Sequence, residues 1–339
     1  MDSARQRILL LLDGRIIKLV SSIPHFPADR AASPDSPENP ARRDWLSCVP
    51  GALLLAGSGG ALASAAAPAG AASAPPGSPA GGPTDSAFIG FPDERERFRA
   101  HFRFERDLRD EGEVVSWYHF TMFAVAPGQR PQPVVRFEGM EYSYFRRVGD
   151  LTWRIHAHNL SFPRDLATGA FTDRVLNPVT GLMVKPEPVV LLEDPGVLHS
   201  PRGYLPLDAR SERWLDTYLM FRTEGDLVKV EHIRPTPEGW PTQFIETSTC
   251  SVSRADFDDP RVTSLKYQTS GFYLFPWSRW MGMGDAPGHM IGAWSGRKLN
   301  GPAELPAEFA ARARREHPKL LEARWDEFNR PMPPGIVVT

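Results

Sequence analysis

The sequence predicts a mainly β fold: a large antiparallel barrel-like or strongly curved sheet with flanking N- and C-terminal helices. Three observations predict it. Roughly ten or more short runs rich in aromatic and β-branched residues lie between positions 114 and 294. Turn signals separate them at short intervals, with no regular strand–helix alternation, which excludes a doubly wound sheet. The segments at either end are charged and periodic instead, as helices are.

Composition narrows the field. The chain has 339 residues, with 39 Lys plus Arg against 41 Asp plus Glu and a net charge of −2. That balance argues against a nucleic-acid partner, which a basic surplus would serve. Two cysteines exclude a disulfide scaffold and a cysteine-based zinc ribbon.

In chain order, residues 1–84 read as an N-terminal extension, a twin-arginine signal and an Ala/Pro/Gly linker, and 85–339 as a single β-rich domain. Ile8–Leu12 followed by Ile16–Val20 suggests a short amphipathic helix, with an over-extended gene start as the alternative reading of residues 1–41. Arg42-Arg43 then precede an uncharged run from Trp45 to Thr84, with a mildly apolar stretch at Val49–Ala56 and an Ala-x-Ala exit at Ala61–Ala67. Paired arginines, modest hydrophobicity and small residues describe twin-arginine export, with the Tat translocase as partner through Arg42 and Arg43 and a periplasmic or secreted destination. An uncleaved anchor or a plain linker are the alternatives. No stable membrane span is expected, because only Ala52–Ala56 is densely apolar.

The domain opens on a helix at 93–108, where Phe98, Phe102 and Leu108 share a face and Pro92 suits the start. Val114–Phe123 is a strand closed by Pro127-Gly128. Strands follow at 134–137 and 142–145, split by Gly139, and at 151–162. Asp165–Gly169 and Asn177–Gly181 end alike in Thr-Gly. Asp and Asn bond their own backbone and Gly accepts positive φ, so each is a β-turn, with a short strand between them. Later strands are expected at 183–192, 214–222, 227–234, 243–252, 265–275 and 290–294. Helices follow at 307–316 and 319–328, with Pro318 opening or kinking the second.

The Pro127-Gly128 turn, the two Thr-Gly turns and the tail Pro276-Trp277…Trp280-Met281…Met283-Gly284-Asp285…Gly288-His289…Gly296-Arg297-Lys298-Leu299 together resemble the DUF1838 family over about residues 110–310. The resemblance implies a domain type, frequently exported, and no reaction. It also implies a charged Arg-Glu pair before the first Thr-Gly turn, where this chain reads His158-Asn159.

Candidate chemistry centres on His156-Ala157-His158. Residues two apart on a strand share a face, so both imidazoles can reach one metal, with His232, His199, Glu246 or Glu141 as possible third ligands. The alternative is two histidines on a solvated rim or hydrogen-bonded inside the barrel. Gly271–Asp285 packs five aromatics and two methionines among glycines, and Tyr273, Trp277, Trp280, Met281 and Met283 are read as ligand-binding or as core. Asp285 and His289 flank a turn and form a candidate acid–base pair, or Asp285 caps that turn. Cys250 reads as a small buried residue. No nucleotide-loop, dinucleotide, Gly-x-Ser-x-Gly or His-Glu-x-x-His pattern is present, so no cofactor is named.

The resulting expectation is an exported barrel-like protein that binds a small apolar or aromatic molecule. It would act as a cofactor-free isomerase, cyclase or lyase with His156, His158 or His289 as proton carriers. The alternatives are a metal-dependent enzyme built on His156, His158 and His232, and a non-catalytic binding or structural protein.

Overall fold

The computed structural model describes residues 8–12, 15–19, 86–192, 196–207, 218–235 and 244–332. Arg42, Arg43 and the uncharged run to Thr84 lie outside the described residues. The chain divides into Met1–Asp44 and Trp45–Thr339. In the first unit β1 (Ile8–Leu12) and β2 (Arg15–Leu19) pair antiparallel, from Ile8 opposite Leu19 to Leu12 opposite Arg15. The expected amphipathic helix is therefore a hairpin. Between the two strands the sequence reads Asp13-Gly14, a pair that two-residue hairpin turns favour.

The second unit is built on one 12-stranded antiparallel sheet, with a separate two-stranded ladder. Its elements are β3 (Ser86–Phe88), α1 (Glu94–Glu105), β4 (Glu111–Val125), β5 (Gln132–Gly149), β6 (Thr152–Arg164), β7 (Val175–Leu176), β8 (Met183–Val184), β9 (Val189–Leu192), β10 (Val197–Ser200), β11 (Gly203–Pro206), β12 (Tyr218–Glu224), β13 (Leu227–Pro235), β14 (Ile245–Ser253), α2 (Arg254–Asp258), β15 (Gln268–Phe275), β16 (His289–Leu299) and α3 (Ala307–Glu316). Strand order in the large sheet is β11-β10-β6-β5-β4-β16-β15-β14-β13-β12-β3, with β9 added beside β6, and β7 and β8 pair in the separate ladder.

The sheet curls without closing. β10 and β13 stand second and ninth in the order, which in a flat sheet would separate them by about 34 Å. Yet His101 of α1 lies 5.7 Å from the ring of His199 on β10 and 5.1 Å from that of His232 on β13. The sheet thus wraps around α1, and its end strands β11 and β3 do not pair with each other.

The expected flanking arrangement fails at the N-terminal helix, which is enclosed. Asp93 caps α1 by accepting from the Glu96 amide at 2.9 Å. Phe102 stacks on Trp153 of β6 at 4.3 Å. At the other end the Lys298 ammonium donates to the carbonyls of Arg103, Phe104 and Arg106 at 3.2, 3.0 and 2.5 Å, satisfying acceptors that a helix end leaves bare.

Gly139 does not break β5, which runs unbroken from Gln132 to Gly149. The Tyr118 ring lies flat over Gly139, and a Cβ there would come within 2.6 Å of it. The glycine makes room for a ring on the neighbouring strand. Both Thr-Gly turns form as expected: the Asp165 and Asn177 side chains accept from Thr168 and Val179 amides at 2.8 and 2.9 Å, and Gly169 and Gly181 take φ of 70° and 72°. The expected helix at 319–328 is instead two 3-10 turns, Pro318–Leu321 and Trp325–Asn329. Here packing overrides helix propensity: Trp325 and Phe328 lie edge-on to Tyr144. With α3, these turns cover the outer face around Tyr142, Tyr144, Leu160 and Phe162.

Candidate functional site

Cross-strand partners share a face of the sheet. His199 pairs with Trp153, the residue that stacks on α1, so odd-numbered β6 positions face the enclosed interior. Asn159 and Ser161 are among them. Register carries this face across the sheet: Asn159 to Glu141, Ser116 and Lys298; Ser161 to Gly139, Tyr118, Gly296, Thr269 and Cys250; Trp294 to Gly271, Ser248 and His232; Tyr273 to Glu246 and Arg234. An interior lined by this many polar side chains is unusual, and α1 adds His101, Glu105 and Arg106 to it.

Glu105, 3 % exposed, is the hub. It accepts from the Tyr204 hydroxyl and, at 2.6 Å, from Arg234 Nη2, which also donates to Tyr204 at 3.0 Å. Around it lie His101 Nε2 at 3.3 Å, His199 Nδ1 at 3.5 Å and His232 Nδ1 at 3.9 Å. Burial pushes its carboxyl up, but His101 and Arg234 outweigh burial and hold it well below the usual carboxylate range. Burial lowers His199 and His232 far below the ordinary histidine value, so both imidazoles are neutral.

Glu246 is the counterpart. Burial, with help from Glu141 and Glu105, raises it to about 8 against the opposing pull of Arg234, whose Nη1 lies 3.6 Å away. A folded value above the unfolded one means that the proton stabilises the fold below about pH 4.5. That contribution is lost as pH rises through about 8, at up to about 1.4 kcal/mol per pH unit. Denaturant titrations should therefore find wild type and Glu246→Gln alike near pH 4.5, with the variant increasingly the more stable toward pH 8. A constant difference across that range contradicts the assignment.

A second buried pair, Arg106 and Glu141 at 3.2 Å, closes the interior toward α1. Several polar atoms here have no hydrogen-bond partner among the described residues: both amide atoms of Asn159, Trp294 Nε1, Glu141 Oε2 and His232 Nε2. Buried polar groups are normally satisfied. Beyond the polar belt the same face turns apolar through Tyr118, Phe120, Tyr273 and Trp294.

The ligand-binding residues read from sequence do gather. Tyr273, Met281 and Met283 are buried in one cluster, with Trp277 and Trp280 packed against it. Asn177 ties its turn to this segment by donating to the Met281 carbonyl at 2.8 Å. His156 and His158 share a face, but the outer one. His156 Nδ1 lies 3.2 Å from Glu327 and His158 Nε2 3.3 Å from the Tyr144 hydroxyl, and burial takes His158 down to about 4. His232 lies on the inner face, so the structure does not bring His156, His158 and His232 together. Asp285 is exposed, and no hydrogen bond joins it to His289 among the described residues. Cys250 is buried, its thiol pushed up to about 12 by burial.

Four residues named only as possible third ligands, His199, His232, Glu141 and Glu246, all face the interior. Sequence reading missed His101, Glu105, Arg106, Tyr204 and Arg234. The available signal was His101-x-x-x-Glu105, an i, i+4 pair on one helix face. Among the described residues, His101, Glu105 and His199 also offer ligand atoms all within 4.8 Å of one another.

The chain matches no curated protein at a significant level. A family profile described as "Protein of unknown function (DUF1838)" matches residues 111–331. The match begins just after α1, so it takes in the strand residues of the interior and leaves His101, Glu105 and Arg106 before it. With that span of matched strands, turns and outer helix, the chain belongs to the DUF1838 family.

Proposed function

We propose that the enclosed polar interior is the active site of an enzyme that moves protons on a small, ring-bearing molecule, by isomerisation, elimination or cyclisation. One observation carries this reading: two buried carboxyl groups flank Arg234, with Glu105 held ionised and Glu246 held protonated near neutral pH. Environments that drive paired groups apart are how one site holds an acid and a base together.

In this scheme Glu246 is the proton donor and His232 Nε2, neutral and without a partner among the described residues, is the acceptor. Glu105 faces the other ring nitrogen of His232 and stabilises the imidazolium as it forms. Arg234 positions both carboxyl groups. In an isomerisation His232 removes a C–H proton and Glu246 delivers one, and the pair exchanges protons with water between turnovers. In an elimination the Glu246 proton leaves with the departing hydroxyl as water. The aromatic wall of Tyr118, Phe120, Tyr273 and Trp294 suits a flat or cyclic body.

The test is to incubate the purified protein with a small-molecule extract and follow masses over time. Wild type should deplete at least one compound and yield an isomer or a dehydrated product, and Glu246→Gln should not. Traces identical to a protein-free control overturn the proposal, and depletion by binding without product favours a non-catalytic carrier.

The spacing of His101, Glu105 and His199 favours a second, metal-centred reading. Weighing against it, Glu105 already accepts from Tyr204 and Arg234, and the guanidinium puts a cation beside the carboxylate. Metal analysis decides: stoichiometric metal lost in both His101→Ala and His199→Ala would establish it.

Read as a twin-arginine signal, Arg42-Arg43 would carry this chemistry outside the cytoplasm. Replacing both arginines by lysine should remove the protein from the periplasmic fraction, and an undiminished periplasmic pool contradicts export by this route.

A further inference from the structure

We infer that the molecule taken into this interior is uncharged and carries both a hydrogen-bond donor and an acceptor on a ring-sized body, as a hydroxylated cyclic ketone or a phenolic carbonyl compound does. This rests on the reading of the interior as a ligand site and goes beyond it by naming the ligand's chemistry.

Charge is the first argument. Each inward-facing cation among the described residues already has its partner: Arg106 has Glu141 at 3.2 Å, Arg234 has Glu105 at 2.6 Å, and the Lys298 ammonium is spent on three carbonyls at the end of α1. An anionic ligand would find no free cation and would meet two carboxylates. Burying such an uncompensated charge is costly.

Hydrogen-bonding capacity is the second argument, and it separates a cation from a neutral molecule. Among the described residues the partnerless atoms on this face include two donors, Asn159 Nδ2 and Trp294 Nε1, and two acceptors, Asn159 Oδ1 and Glu141 Oε2. Asn159 is fully buried and Trp294 is 4 % exposed. Asn159 sits directly across from Glu141 in the sheet. An ammonium offers donors only and would leave Trp294 Nε1 and Asn159 Nδ2 unpaired. A carboxylate offers acceptors only and would leave Glu141 Oε2 and Asn159 Oδ1 unpaired. A hydroxyl together with a carbonyl serves both sets. Sites with buried donors and acceptors reject ligands that leave them unpaired far more strongly than apolar pockets reject a misfit.

The rings complete the picture. Tyr118 lies over Gly139, Tyr273 over Gly292 and Trp294 against Gly271, each glycine removing the Cβ that would hold the ring off the sheet. These flattened rings form an aromatic wall on the same face of the sheet as the unpaired polar atoms, and a planar body would stack on it.

Three probes of one size test this by calorimetry on the full-length protein at neutral pH: 4-hydroxyacetophenone, which is neutral, 4-hydroxybenzoate, an anion, and tyramine, a cation. The neutral probe should bind at least about tenfold tighter than either ion, since each unpaired polar group costs on the order of a factor of ten. Asn159→Leu and Trp294→Phe should each weaken it about tenfold. Asn159→Leu should at the same time raise the melting temperature, because it removes two unsatisfied buried atoms, so a loss of binding cannot be blamed on misfolding. Equal or tighter binding of either ion overturns the inference, as does failure of all three to bind, or undiminished binding in both variants. The measurement reads binding alone, so a protein that prefers the neutral probe and never turns anything over would sink the enzymatic reading and leave this one standing.

Discussion

Arg106→Met should destabilise the protein by about 3–5 kcal/mol, as breaking a buried ion pair by removing one partner does. Arg106 and Glu141 are 2 % and 1 % exposed and 3.2 Å apart. Removing the guanidinium strands a carboxylate that burial already pushes up and that Arg106 counteracts. For a domain of this size the melting temperature should fall by roughly 6–20 °C. Arg106→Met combined with Glu141→Gln should recover a good part of this, because the double variant leaves no uncompensated charge. The contrast is Arg109, whose side chain is 60 % exposed beside Asp107. Arg109→Met should shift stability by less than about 1 kcal/mol. Equal losses for Arg106→Met and Arg109→Met would show that the interior pair is solvated.

Glu246→Gln and His232→Gln should each lower turnover by about 10²–10⁴, the range that a positioned proton donor or acceptor contributes. Both variants keep side-chain size, so their folded fractions should stay close to wild type. Activity of the wild type should fall as pH rises through about 8, where Glu246 loses its proton. His156→Phe is the control. Its ring packs against Tyr144, Phe328 and Glu327 on the outer face, so the substitution should cost stability while turnover per folded molecule stays within a few-fold of wild type. A collapse of turnover in His156→Phe with normal turnover in Glu246→Gln would move the chemistry to the outer face. Both are read as kcat on protein whose folded fraction has been measured.

The strands were legible because alternation and turn chemistry are local. Val114–Phe123, Leu227–Arg234 and Gln243–Val252 fall within or close to β4, β13 and β14. What was illegible is what depends on pairing. Gly139 looks like a break until the Tyr118 ring is found lying on it. Ala, Glu, Arg and Leu at 319–328 promise a helix until Trp325 and Phe328 are claimed by the outer face. β10 and β11, which bring in His199 and Tyr204, are four residues each around Pro201-Arg202, too short to register as strands.

The site followed the same rule. His156 and His158 do share a face, as their spacing requires, but spacing cannot say which face. Register alone sets His199, His232, Glu141 and Glu246 on the inner side and His156 and His158 on the outer. The charges of α1 resemble a solvated helix in sequence, because nothing local announces that a sheet will curl around Glu105. The interior expected to be apolar is therefore divided, aromatic at one end and ionised at the other.

The most direct test is infrared spectroscopy of the ligand-free protein, wild type minus Glu246→Gln, across pH 6 to 10. A protonated-carboxyl band should be present at pH 6, fade with a midpoint of about 8 and be missing in the variant. A Glu246 side chain that is ionised throughout would leave the interior without its proton donor and contradict the account.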